Sequence, residues 1–206
     1  VVTVHAQDDE DSGPEFASVT CGSAVKLQHH VTGYRVHSHD IKWGSGSQQQ
    51  SVTSMNGQDD PNSLWVIKGA HGTHCPQGTP VKNGMAIRFT HLKTKKNLHT
   101  HAFPSPLTKQ QEVSAYGNAG EGDSMDDWVL ETEGQPNWQR GARVRMRHKG
   151  TGAYLHSHTY RFDQSNCGGN CPIMGQQEVT GYSIADDENN WWKSAEGVYF
   201  PLTTQQ

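Results

Sequence analysis

Histidine is the residue with the most chemical potential in this sequence. Three times it occurs as a pair separated by one residue: His37 and His39 in V-H-S-H, His99 and His101 in L-H-T-H, His156 and His158 in L-H-S-H. Alternate side chains of a strand share a face, so each pair would set two imidazoles side by side. Such a pair can donate two ligands to a metal, titrate near about pH 6.5, or form a polar binding surface. A zinc site needs further ligands, and no cysteine or carboxylate repeats beside the pairs at ligand spacing. No metal and no cofactor is therefore expected. The favoured reading is structural histidines hydrogen-bonded to turn backbone; as binding residues the six are weak candidates.

Other chemistry is thinner still. Acidic runs precede a tryptophan in each third of the chain: Asp59-Asp60, Asp126-Asp127 and Asp186-Asp187-Glu188. They lack the ligand spacing of a calcium-binding EF-hand and read as solvated turn residues. Nothing marks one carboxylate of a pair as desolvated, as glycoside hydrolysis requires, and no G-x-S-x-G presents a nucleophile. No enzymatic activity is expected. The four cysteines are an even set, which suggests two disulfides, Cys21 with Cys75 and Cys167 with Cys171. The C-G-G-N-C spacing of the second pair also suits half a metal site, but no second cysteine pair completes it.

The elements that must position these residues repeat with them. Eight residues before the first histidine of each pair stands another, at His29, His91 and His148. Ahead of that comes an apolar-basic-apolar triplet: Val25-Lys26-Leu27, Ile87-Arg88-Phe89, Val144-Arg145-Met146. Downstream lie Gln49-Gln50-Ser51-Val52, Gln110-Gln111-Glu112-Val113 and Gln176-Gln177-Glu178-Val179, then a closing tryptophan at Trp65, Trp128 and Trp191 or Trp192. The chain is a tandem triplicate, with repeats at about 22–68, 83–132 and 140–193.

Within repeat one, short β-type segments at Val25–Gln28, Tyr34–His37, Ser51–Thr53 and Leu64–Ile67 alternate with turn residues. No helical period is sustained. Three copies of about sixty residues are too small for independent domains, so one shared core over 19–203 is expected. Twelve strands with pseudo-threefold symmetry make an all-β fold, the β-trefoil, whose six-stranded barrel is capped by three hairpins and leaves no open edge. Gly197–Leu202 reads as a closing strand. A long insertion, 159–175, interrupts the third repeat, and the Gly/Pro-rich linker 69–80 follows the first.

Mean hydropathy is low at −0.81, yet six tryptophans are present. Each buried aromatic ring removes roughly 150–250 Å² from water, an upper bound of about 4–6 kcal/mol, so a small aromatic core suffices. Net charge is −4, but Asp8, Asp9, Glu10, Asp11 and Glu15 lie in a tail that ends near residue 18. The remaining 16 acids and 17 bases balance, which gives no reason to expect nucleic-acid binding; no apolar run spans a bilayer, so no membrane insertion is expected. The first residues, V-V-T-V-H-A, read as the remnant of a secretory signal before an acidic tail unlikely to order itself.

The [VI]-[KR]-[LFM]-x-H start, the L-H-[ST]-H centre and the following Q-x-V resemble MIR motifs. The chain from about Cys21 to Pro201, including N-L-H-T-H-A-F-P-S-P-L and Q-E-V-S-A-Y-G, is similar to the stromal cell-derived factor 2 family. That resemblance implies a β-trefoil without catalytic activity. It implies work in the endoplasmic reticulum lumen with an Hsp40-type co-chaperone and its Hsp70, on unfolded and O-mannosylated client proteins. A module binding O-mannosyl or related glycans is the alternative, although the Q-x-W of ricin-type lectin repeats is missing. Relatives usually end in an H-D-E-L-like signal, whereas this chain ends P-L-T-T-Q-Q, so retention through a partner, or secretion, is expected.

Overall fold

A computed structural model describes residues 13–203. The expected signal remnant and the acidic run up to residue 12 lie outside the described residues. Each repeat contributes four strands. The first supplies β1 (Ala24–His29), β2 (Arg35–Lys42), β3 (Gln50–Met55) and β4 (Leu64–Gly69); the second β5 (Ala86–His91), β6 (Asn97–Pro104), β7 (Gln111–Tyr116) and β8 (Trp128–Thr132). The third supplies β9 (Arg143–His148), β10 (Tyr154–Arg161), β11 (Gln177–Tyr182) and β12 (Trp192–Val198).

The pairings close two rings. Strands β1, β4, β5, β8, β9 and β12 pair in succession, each antiparallel to the next, and β12 returns to β1. This is the six-stranded barrel. The hairpins β2–β3, β6–β7 and β10–β11 form the cap, held together by β3–β7, β7–β11 and β11–β3 pairings. The fold is a β-trefoil.

Each part of the repeated motif has a mechanical duty. The outer residues of the triplets (Val25 and Leu27, Ile87 and Phe89, Val144 and Met146) are fully buried in the barrel core. The basic residue between them points the other way and ties down a loop. Lys26 donates to Gln58 O, Arg88 to Gly69 O and Gly120 O, and Arg145 to Ala185 O. The closing tryptophans are Trp65, Trp128 and Trp192. Each is fully buried and donates its indole N–H to the carbonyl of the residue before the first paired histidine, namely Val36 (3.0 Å), Leu98 (3.0 Å) and Leu155 (2.8 Å). That geometry identifies Trp192, not Trp191, as the third copy. The Trp191 ring instead meets the guanidinium groups of Arg143 and Arg145, at 4.8 and 4.9 Å.

His29, His91 and His148 are wholly buried, and each ring meets one of these tryptophans at 4.8–5.0 Å. Nε2–H donates to a carbonyl of the neighbouring 3-10 turn (Asn189, Asn62 or Met125), while Nδ1 accepts from the β-hairpin threonine, Thr32, Thr94 or Thr151. The turn at that threonine needs a left-handed residue, and Gly33, Lys95 and Gly152 adopt it.

Two expectations are corrected. Residues 13–18 are ordered: Pro14–Phe16 form a 3-10 turn, Ser18 bridges Gln139, and Phe16 packs on the core. Gly197–Leu202 is not a separate strand. Gly197 and Val198 end β12, and the chain then leaves the ladder. Pro201 has no N–H for a ladder, Tyr199 is buried and bonds back to Ala195 O, and Leu202 N–H donates to Glu15 O. The C-terminal residues thus clasp the N-terminal turn. The disulfides pair as expected, Cys21 with Cys75 across the linker and Cys167 with Cys171 in the insertion.

Loop-closure entropy separates the two disulfides. Removing Cys21–Cys75, which spans 54 residues, should lower stability by about 4 kcal/mol, and removing Cys167–Cys171, which spans 4, by about 2 kcal/mol. Urea unfolding of the paired cysteine-to-serine variants measures both. The buried histidine trio makes a second prediction. Burial depresses all three, His29 from 6.5 to about 4. The unfolded chain takes up protons below 6.5 while the folded chain does not. The stability from their neutral burial is therefore intact above that pH and lost as pH falls towards 4, with about 3 kcal/mol from His29 alone. Unfolding free energies between pH 7 and pH 4, compared with a His29→Gln variant, should show the trio's share of that slope.

Candidate functional site

The six paired histidines stand on β2, β6 and β10; His37, His99, His156 and His158 are buried, and His39 and His101 half-buried. Each pair does share a face, with ring centroids 5.0, 5.0 and 5.9 Å apart. Their partners differ from expectation. The first histidine of each pair bonds a side chain of a 3-10 turn rather than turn backbone. His37 Nδ1 lies 2.6 Å from Asp60 Oδ2, His99 Nδ1 2.9 Å from Asp126 Oδ1, and His156 Nδ1 2.8 Å from Asn190 Oδ1. Asp60 caps the 3-10 turn Pro61–Ser63, whereas Asp126 and Asn190 end the turns Ser124–Asp126 and Glu188–Asn190; all three turns lie just before the closing tryptophans.

The acidic runs are therefore not uniformly solvated. Asp126 and Asp127 are buried, whereas Asp59 and Asp186 are exposed. Asp60, Asp123 and Asp187 cap the turns, accepting from the N–H of Asn62, Met125 and Asn189. Burial opposes ionisation of Asp60, but bonds from Ser63, His37 and the Asn62 N–H outweigh it and hold its carboxyl below the usual range. A carboxylate or amide thus does repeat beside the pairs, in space rather than in spacing. In repeat two, His99, Asp123 and Asp126 bring ligand-type atoms within 4.8 Å of one another. Both oxygens of Asp126 are engaged by protein donors: Oδ1 accepts from His99, and Oδ2 from Asn97 Nδ2 and the Asp123 N–H. Its chemistry is that of a helix cap.

The second histidines show where the thirds diverge. His158 Nε2 is 3.2 Å from Glu178, and His101 Nε2 is 3.5 Å from Glu112. Both glutamates are fully buried. Each reaches across to the loop of the preceding repeat. Glu178 accepts from the N–H groups of Leu107 (2.7 Å) and Thr108 (3.2 Å) and from the Thr108 hydroxyl; Glu112 accepts from the Ser47 N–H and hydroxyl. Burial opposes ionisation of Glu178, but bonds from His158, Leu107 and Thr108 prevail and keep its carboxyl below the usual range. The backbone passes so close to Glu112 that Gly46, at φ 64°, leaves no space for a Cβ. In repeat one the corresponding residue is Ser51, and His39 Nδ1 instead meets His37 Nε2 at 2.8 Å. The sequence carried this signal as Q-S-V against Q-E-V, and its burial was not legible.

A surface cleft and a second, buried apolar cluster follow from the hairpins. A cleft of about 430 Å³ between repeats two and three is lined by Phe103, Gln110, Gln111, Thr151, Tyr182 and Ser183. Phe103 is 44% exposed and continues the row His99, His101 along β6; Tyr160, 65% exposed, continues His156, His158 along β10. The insertion builds the second feature. Trp43, Phe162 and Ile173 form an apolar cluster separate from the barrel core, with Leu107 and the Cys167–Cys171 disulfide packed against it.

Comparison with known proteins places this geometry. The family model described as the MIR domain matches residues 37–192. Stromal cell-derived factor 2-like protein 1 of Bos taurus is 50% identical over 184 residues, covering 88% of this chain and 78% of the relative. Among solved structures, the SDF2-like protein of Arabidopsis thaliana superposes with a TM-score of 0.84 at 44% identity, covering 91% of this chain and 99% of that one. The Saccharomyces cerevisiae protein O-mannosyltransferase Pmt1-Pmt2 complex bound to the sugar donor matches with a TM-score of 0.76 at 28% identity, over 91% of this chain and 28% of that one.

The histidine network predicts a graded mutational response. Asp126→Ala removes the acceptor of the His99 Nδ1–H and the Asp123 N–H and leaves the Asn97 amide only its bond to Gly120 O, and should cost about 2–4 kcal/mol in urea unfolding. Asp126→Asn should cost less, because Asn190 already serves at that place in repeat three. Asp59→Ala should change stability by no more than about 0.5 kcal/mol.

Proposed function

Since the chain belongs to the MIR-domain family of stromal cell-derived factor 2-like proteins, we propose that it is a non-catalytic interaction module of the endoplasmic reticulum lumen. It works there with an Hsp40-type co-chaperone and Hsp70 in quality control of unfolded client proteins. The observation that supports this reading is the departure from threefold symmetry. The repeated polar side chains are engaged in caps and inter-repeat clamps, while the apolar cluster where the insertion meets Trp43 of repeat one is formed once, and a cleft opens onto it. A docking module needs one distinctive patch. A scaffold needs only the repeats.

A second reading has its own observation. The cleft at Phe103 and Tyr182 sets an exposed ring beside the Gln110 and Gln111 amides, a combination that suits a sugar. The O-mannosyltransferase complex it resembles was solved with its sugar donor. Against a lectin of the usual repeated kind, Trp65, Trp128 and Trp192 are all buried.

Native pull-down of the tagged protein from secretory lumen should recover an Hsp40–Hsp70 pair, and recovery of no chaperone would overturn the first reading. A glycan array should give no micromolar binder. A mannosyl glycan that binds in that range, and loses binding with Phe103→Ala, would favour the second.

A further inference from the structure

The cap has three equivalent seats, and the chain itself displays what two of them hold. At Glu112 the seat takes the main chain of the first repeat's loop at Ser47; at Glu178 it takes the second repeat's loop at Leu107 and Thr108. In the latter, the side chain beside the bound N–H, Leu107, packs on the Trp43, Phe162 and Ile173 cluster. The third seat, at Ser51, faces the loop of repeat three. There the insertion folds on itself instead. Helix α1 (Gln164–Cys167) is capped by Asp163 and closed by the Cys167–Cys171 disulfide, so none of its N–H groups reaches Ser51.

What results is a cleft of about 320 Å³ lined by Ile41, Trp43, Ser51, Pro106, Phe162 and Ile173. Ser51 is 2% exposed, and its hydroxyl makes no hydrogen bond to any described residue. The hydroxyl has no protein partner and belongs to the lining of the cleft, so a polar group entering there can bond it. Where glutamate can only accept from an N–H, serine can also donate to a carbonyl oxygen.

We propose that this cleft is a docking site for an extended peptide, which places a leucine- or phenylalanine-sized side chain against Trp43, Phe162 and Ile173 and a main-chain carbonyl on the Ser51 hydroxyl. The chemistry selects a peptide over a sugar. Trp43 and Phe162 pack at 5.8 Å and 38° and are both buried, so neither offers the open ring face on which a sugar stacks. The choice of an unfolded segment as the natural source rests on the reading of the protein as a chaperone-complex module; the geometry of the seat does not.

The test is a titration of the whole, disulfide-intact chain, followed by amide and indole N–H resonances. The probes are acetyl-Gly-Ser-Leu-Ser-Gly-amide and the same peptide with aspartate in place of leucine. The leucine peptide should shift the Trp43 indole and the amides of Ser51, Phe162 and Ile173, leave the Trp65, Trp128 and Trp192 indoles in place, and outbind the aspartate peptide about ten-fold or more. Ser51→Glu, which copies the other two seats, should weaken binding about ten-fold, and Ser51→Ala about three-fold. Absence of shifts, shifts centred elsewhere, or equal binding of both peptides would overturn the proposal. Should Ser51→Glu disturb the core indoles, Ser51→Ala and the peptide pair decide. Chaperone recovery without peptide binding would sink the cleft and spare the chaperone reading; the reverse would sink only that reading.

Discussion

The indole N–H of the closing tryptophan is the constraint on which the rest of this structure depends. A ring that large must be buried to build a core in so polar a chain, and its N–H must then find an acceptor. In all three repeats the acceptor is the carbonyl just before the first paired histidine: Val36, Leu98, Leu155. One bond therefore fastens each barrel strand to its cap hairpin. It also fixes the 3-10 turn that precedes the tryptophan, and so delivers Asp60, Asp126 or Asn190 to the histidine that follows the carbonyl. The histidines upstream close the same joint from the other side, packing against the indoles and bonding the turns.

This arrangement explains why residues with so much chemical potential are bound up in scaffolding. An imidazole is small enough to bury, yet has a nitrogen on each side, so it can bridge two elements that must both be satisfied. Three buried histidines and two buried glutamates join neighbouring thirds, while the three histidine-to-turn bonds brace each third internally. Because each joint links one repeat to the next, a change in one third is felt in its neighbour.

Function then follows from imperfection in the symmetry. A feature present three times answers to the closed ring; a feature present once is free to serve a partner. The insertion in repeat three and the serine at the third seat coincide in space although more than a hundred residues separate them in the chain. Together they replace a carboxylate clamp by an apolar cleft at the surface of the cap.

Much of this was legible in the residues alone. The triplicate, the four strands of each repeat, the trefoil and the two disulfides all follow from local pattern, because side-chain alternation, turn residues and cysteine count are properties of short stretches. Local pattern also misled, at Gly197–Leu202, where apolar content suggested a strand that Pro201 and the Tyr199 bond to Ala195 do not permit, and at 13–18, where charge hid a docked turn. What only the tertiary structure decided is which polar groups meet. Asp126 lies 27 residues from His99, and Glu178 about seventy from the loop it holds. No periodicity reports such distances, since the meeting is made by closure of the ring. For the same reason Trp192, rather than its equally plausible neighbour, is the third copy: its identity is set by reaching Leu155 across the joint.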